Sequence, residues 1–195
     1  MIFETPLCEL AYKYGSDKCP QISHGYTPRY HKIFKDKRNE VLKVFEIGIG
    51  IRENMQHPPH YRTGASLYMW RDYFPNAQIY GMDILPECMF EDDRIHTFLG
   101  DQSKKDDLLN VLRKIGTDID LVIDDGSHQM SHQLFTCLTL MPYLRKYVTY
   151  VIEDVVHGFE VIDELMECGW NVYYRRFNAK RGFGDRMVVV TYPKL

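Results

Sequence analysis

Short apolar runs alternate with stretches of helical period along this chain. Val44, Phe45 and Ile47 form the first clear run, which empties into Gly48-Ile49-Gly50. Further runs lie at Gln78 to Asp83, Ile95 to Leu99, Ile119 to Asp124 and Val148 to Ile152, each ending in an acidic residue or reaching one within two positions. Continuous apolar runs of this kind suit strands buried on both faces of a parallel sheet. Between them, helices are expected at Leu67 to Tyr73, Lys105 to Ile115, Gln133 to Leu144 and Phe159 to Cys168. In the second of these, Leu108, Leu109, Leu112 and Ile115 share one side. Upstream, Leu7 to Tyr14 reads as a short helix stopped by Gly15. Thr27 can cap another, with Pro28 at its first position and Tyr30, Ile33 and Phe34 along it. Two successive strands, Trp170 to Arg175 and Arg186 to Tyr192, close the chain as an antiparallel hairpin around a basic, glycine-bearing loop, Arg176 to Asp185.

This alternation predicts an α/β fold: a Rossmann-like, doubly wound sheet, mostly parallel, with an antiparallel C-terminal hairpin and helices on both faces. The 195 residues fit one domain, with residues 1–40 a helical segment that either packs on the core or forms a lid, and residues 41–195 the core. Lys+Arg 24 against Asp+Glu 27 leaves a net charge of −3, too weak a field to draw the chain to nucleic acid or membrane. The five cysteines are scattered without a C-x-x-C pair, which suggests reduced thiols in a cytosolic setting.

In doubly wound sheets, ligands bind beyond the carboxyl ends of the strands. Glu46, Asp83, Asp101, Asp124, Asp125, His128, Glu153 and Asp154 all fall near such ends. Carboxylates crowded on one rim repel unless a cation offsets them, so a site is expected there. The glycine turn admits close backbone approach, and Asp83 at the end of the next strand can accept from two ribose hydroxyls. Asp125 with Asp154 or Glu153 makes a hard-oxygen set of the kind that holds Mg²⁺. The competing expectation is that Asp125 and Asp154 merely cap the helices that follow them. His128 is the candidate general base, the alternative being a histidine that only hydrogen-bonds a neighbouring carboxylate. His132 reads as structural. Two loops, Ile51 to Thr63 with His57, His60 and Tyr61, and Arg176 to Asp185 with Lys180 and Arg181, could touch an acceptor or simply be solvated.

Four stretches then carry a resemblance: Lys13-Tyr14-Gly15-Ser16-Asp17-Lys18 with His24-Gly25-Tyr26-Thr27; Phe45 to Gly50; Gly64 to Trp70 on to Met82-Asp83-Ile84; and Ile123 to His128 with Val151 to Asp154. Across residues 13 to 154 the chain resembles class I S-adenosylmethionine-dependent methyltransferases, most nearly the sugar O-methyltransferases of the macrocin and mycinamicin type. The resemblance implies S-adenosyl-L-methionine as cofactor, with Tyr14, Ser16, Glu46, Gly48, Gly50, Ser66, Asp83, Asp101, Gln102 and Asp124 at its site. It implies Mg²⁺ on Asp125, Glu153 and Asp154, and catalysis by His128 with Asp125 on a saccharide or glycoside acceptor. The related macrolide enzymes carry an additional N-terminal domain that these 195 residues do not include. Acceptor identity and a possible homo-oligomer therefore do not carry over. The rival readings are a nicotinamide-dependent oxidoreductase and a non-catalytic nucleotide-binding module. The first normally shows G-x-G-x-x-G, whereas this chain continues Gly50-Ile51-Arg52-Glu53.

Overall fold

Strand β1 (Lys43–Ile47) lies at the centre of the structure, a computed structural model describing residues 2–51, 60–177 and 185–193. Its neighbours are β2 (Gln78–Asp83) on one side and β5 (Leu121–Asp124) on the other, both parallel to it. The full order is β3-β4-β2-β1-β5-β6-β8-β7, with β3 at Glu91–Asp92, β4 at Ile95–Leu99, β6 at Thr149–Ile152, β7 at Asn171–Arg176 and β8 at Arg186–Thr191. The chain winds outward from β1 to β4, then crosses back to β5 and winds the other way. The order therefore reverses between β1 and β5. The antiparallel hairpin at the C-terminal end is present, β8 lying between β6 and β7. The edge strand β3, two residues long and antiparallel to β4, is too short to show as a sequence pattern.

The pleat divides the core into two layers. Val44, Leu121, Ile123 and Val151 face α1 (Pro6–Tyr14), α2 (Tyr26–Phe34) and α3 (Ala65–Tyr73). Phe45, Ile47, Val122, Tyr150 and Ile152 face α4 (Lys105–Ile115), α5 (Met130–Leu140) and α6 (Gly158–Glu167). Helices thus cover both faces, as the alternation predicts.

The starts of α2 and α5 differ most from expectation. α2 begins at Tyr26 behind Gly25, and Thr27 lies inside the helix, its Oγ1 3.1 Å from Cys8 Sγ rather than capping. α5 begins three residues early, at Met130, and ends at Leu140, where Pro142 helps turn the chain into a 3-10 segment, Met141–Tyr143. No described helix is long and apolar enough to cross a membrane.

Candidate active site

Beyond the carboxyl ends of the parallel strands, where the order reverses, lies a cleft of about 710 Å³. The turn after β1 forms its floor. Gly48 and Gly50 stand at φ +92° and +73°, and a Cβ on Gly48 would fall 2.1 Å from the Asp125 carbonyl oxygen. Only glycine fits there. Asp83 Oδ2 accepts from the backbone N–H of Ile49 at 2.8 Å and of Gly50 at 3.2 Å, and Oδ1 from Leu85 N–H at 3.0 Å. A carboxylate keeps further lone-pair capacity, so Asp83 can still receive hydroxyls. Asp101 stands over the end of β4, its pKa lowered by the hydroxyl and backbone N–H of Ser103.

Asp125, His128 and Asp154 meet at the cleft's other end, with one potential ligand atom from each all within 4.8 Å of one another. Helix capping does not explain the two acids. The cap positions are Gln129 for α5 and His157 for α6, with no side-chain cap bond at either. Burial raises the Asp154 pKa, and the charge of Asp125 adds to the effect. His128 and Asp154 hold φ of +56° and +51°, a conformation costing on the order of 1 kcal/mol for a residue with a Cβ. Backbone strain that persists at a polar cluster is characteristic of a working site.

The structure separates the remaining expected residues from this group. Gly48, Gly50, Asp83, Asp101, Gln102, Asp125, His128 and Asp154 line the cleft; Tyr14, Ser16, Glu46, Ser66, Asp124 and Glu153 do not. Glu46 and Glu153 point into the α1–α3 layer and Asp124 into the α4–α6 layer, because each is an alternate position of its strand's pleat. Glu153 is fully buried. Its Oε2 is 2.5 Å from the Lys18 ammonium and its Oε1 accepts from Tyr30 Oη–H at 2.6 Å. Burial raises its pKa well above the usual range, against the opposing pull of Lys18. Burial likewise raises Asp124 to about 7. Tyr14 donates to Asp72, away from the cleft. His60 and Tyr61 bond backbone carbonyls of Tyr12 and Gly50, whereas His57, Lys180 and Arg181 lie outside the described residues.

Three further groups at the site carry no role that the sequence alone implies. Lys18 is 2% exposed, its ammonium 2.5 Å from Asp125 Oδ2 and 3.3 Å from Glu46 Oε1 as well as on Glu153. Burial alone would lower its pKa, but Asp125, Glu153 and Glu46 outweigh that and hold it well above normal. A rim too acidic to stand alone was the available signal, and the chain supplies the cation itself. Asp17 and His24 also line the cleft, with His24 stacked on Tyr26 at 5.1 Å and its Nδ1 3.8 Å from Asp154 Oδ1.

No protein-family model matches the chain. It is 40% identical over 149 residues to mycinamicin VI 2''-O-methyltransferase of Micromonospora griseorubida, covering 76% of this chain and 36% of that one. The 8-demethyl-8-(2-methoxy-alpha-L-rhamnosyl)-tetracenomycin-C 3'-O-methyltransferase of Streptomyces olivaceus is 41% identical over the same shares. Among solved structures, the MycE methyltransferase of the mycinamycin biosynthetic pathway, in complex with Mg, SAH and mycinamycin VI, superposes with a TM-score of 0.78 at 28% identity. That match covers 96% of this chain and 53% of MycE. The chain thus spans little more than a third of the length of the curated relatives it matches. In sequence and in fold, the chain is similar to S-adenosylmethionine-dependent methyltransferases, the sugar O-methyltransferases of the mycinamicin and macrocin type among them.

Proposed function

We propose that this chain transfers the methyl group of S-adenosylmethionine to a hydroxyl of a glycosidic sugar, with His128 as the general base. The cleft geometry carries the reading: a glycine turn and an acidic strand end stand beside a compact Asp125–His128–Asp154 cluster. The MycE complex with Mg and SAH supports the same ligand pair here. The donor's ribose hydroxyls would be taken by Asp83 and its amino-acid end by the turn at Gly48 and Gly50, with Asp101 beside the base. The domain organisation belongs to the same proposal, with residues 1–40 contributing Asp17, Lys18 and His24 to the cleft wall and its support.

The donor set fits a hard divalent ion. Mg²⁺ prefers oxygen, so Asp125 and Asp154 would hold it, leaving the His128 imidazole for proton chemistry. Bound there, such an ion would stabilise negative charge developing on an acceptor oxygen. Glu153 would support the set from behind, since Lys18 and Tyr30 engage both its oxygens. His128 removes the hydroxyl proton as the oxygen attacks the sulfonium methyl carbon. The C–S bond breaks, its electrons return to sulfur, and S-adenosylhomocysteine leaves. Most of the remaining rate gain comes from aligning oxygen, methyl and sulfur across the cleft.

His128→Ala should lower turnover about 10²- to 10⁴-fold, the usual worth of a positioned base. S-adenosylhomocysteine affinity, measured by calorimetry, should stay within a few-fold of wild type. Turnover near wild type in His128→Ala would remove the base assignment. Stabilisation of the folded chain by NAD but not by S-adenosylhomocysteine, in a thermal-shift measurement, would favour the oxidoreductase reading instead.

A further inference from the structure

The loop carrying Asp125 and His128 is gripped from both sides, and each grip needs a glycine. Gly48 admits the Asp125 carbonyl, as described. On the far side, a Cβ on Gly126 would fall 2.1 Å from Gln102 Oε1. Gln102, in the turn between β4 and α4, is 8% exposed, and both N–H groups of its amide as well as its carbonyl have partners. Oε1 accepts from Ser127 N–H at 2.6 Å, while Nε2 donates to Asp124 Oδ1 at 3.1 Å and to Thr136 Oγ1 at 3.2 Å.

Both N–H groups are used, so none remains to offer a purine ring. The two acceptors also fix which way the amide faces. With Nε2 held by Asp124 and Thr136, the carbonyl must point at Ser127. Asp124 itself is fully buried in the α4–α6 layer and forms no part of the cleft wall. The link therefore runs from a core carboxylate, through an amide, to the backbone of Ser127, next to His128 and two residues from Asp125.

We infer, on the methyl-transfer reading above, that Gln102 is a positioning residue: anchored by Asp124, it pins Ser127 and so fixes Asp125 and His128 relative to Asp154. Hydrogen bonds that orient metal-binding side chains are typically worth 10- to 100-fold in metal affinity. A group reading adenine would instead change cofactor affinity.

The test uses the full chain, with Mn²⁺ as the metal probe followed by electron paramagnetic resonance and S-adenosylhomocysteine by calorimetry. Gln102→Met keeps the side chain's length and removes its hydrogen bonds. It should weaken Mn²⁺ binding about 10-fold or more while leaving S-adenosylhomocysteine affinity within about threefold. Asp124→Leu should reproduce that loss from outside the cleft, and Asp124→Asn, which keeps an acceptor, should restore binding. The double variant Gln102→Met/Asp124→Leu should bind Mn²⁺ no more weakly than Gln102→Met, because both changes break one link. If circular dichroism shows Asp124→Leu unfolded, Thr136→Val removes the other acceptor and takes its place. Wild-type Mn²⁺ affinity in folded Gln102→Met overturns the inference. So does equal loss of both ligands, or loss of S-adenosylhomocysteine alone. Wild-type protein that takes up S-adenosylhomocysteine but no Mn²⁺ would remove the metal proposal beneath it, and the inference with it.

Discussion

Gly48 shows how one backbone position can decide whether the cleft exists. With φ at +92° and the Asp125 carbonyl where a Cβ would stand, Gly48→Ala combines dihedral strain with a backbone clash. It should cost at least about 2 kcal/mol of stability by urea titration, with loss of S-adenosylhomocysteine binding. That glycine is legible in the sequence because a turn after an apolar strand demands it. The carboxylates are less so. Eight polar residues share the strand ends, but pleating sends Glu46, Asp124 and Glu153 into the core layers and leaves Asp83, Asp101, Asp125, His128 and Asp154 at the cleft. A shift of one residue in where a strand ends exchanges the two groups, and sequence patterns do not fix strand ends that closely. Glu46 carries a pH signature of this burial. Burial pushes its pKa up to about 7, Lys18 opposing and Asp125 reinforcing. The native state therefore keeps a proton that the unfolded chain releases above its ordinary carboxylate pKa. Its stabilising contribution is present at low pH and falls as pH rises from about 4.5 towards 7. Glu46→Gln should flatten that part of the stability profile, read from urea midpoints across the range.

At the scale of elements, the segment before β1 is tied to the sheet by more than apolar packing. The Lys18 carbonyl accepts from Tyr26 N–H at 3.1 Å and Thr27 N–H at 3.0 Å, at the start of α2, while its ammonium reaches acids from β1 and from just beyond β5 and β6. This explains why α2 starts at Tyr26 rather than behind a Thr27 cap. Tyr26 and Tyr30 are needed inside, where their hydroxyls donate to Asp154 and Glu153. Local cap preference lost to tertiary hydrogen bonding. A lysine in a polar stretch gives no sign that it is buried, since the acids around it are 28 to 135 residues away in sequence. Lys18→Met should destabilise the chain by about 3–5 kcal/mol, because it leaves buried carboxylates without their cation. Lys18→Arg should recover part of that loss in the same urea titration.

For the whole molecule, strand order decides where each reactant can lie. The reversal between β1 and β5 opens the cleft, and on the proposed reading the donor would lie over β4, β2 and β1, across Asp101, Asp83 and the glycine turn. With the donor so placed, an acceptor would have the space over β5 and β6, walled by Asp17, His24, His128, Asp154 and Val156. The alternation of strands and helices made this architecture readable, but this wall of the cleft was not, because it joins residues 17 and 24 to residues 128–156. Its charge then bears on the substrate. Asp17, Asp83, Asp101, Asp125 and Asp154 line the cleft, and among the described lining residues there is no lysine or arginine. A phosphorylated sugar would meet like charge in a partly enclosed cleft, where water screens poorly. One divalent ion on Asp125 and Asp154 would offset only those two acids. A neutral methyl glycoside should therefore be methylated with at least about 10-fold higher kcat/KM than the same sugar bearing a phosphate, a difference of about 1.4 kcal/mol in transition-state stabilisation. Raising ionic strength should narrow the gap, since added salt screens the repulsion. Equal kcat/KM for both at low salt would remove the like-charge argument.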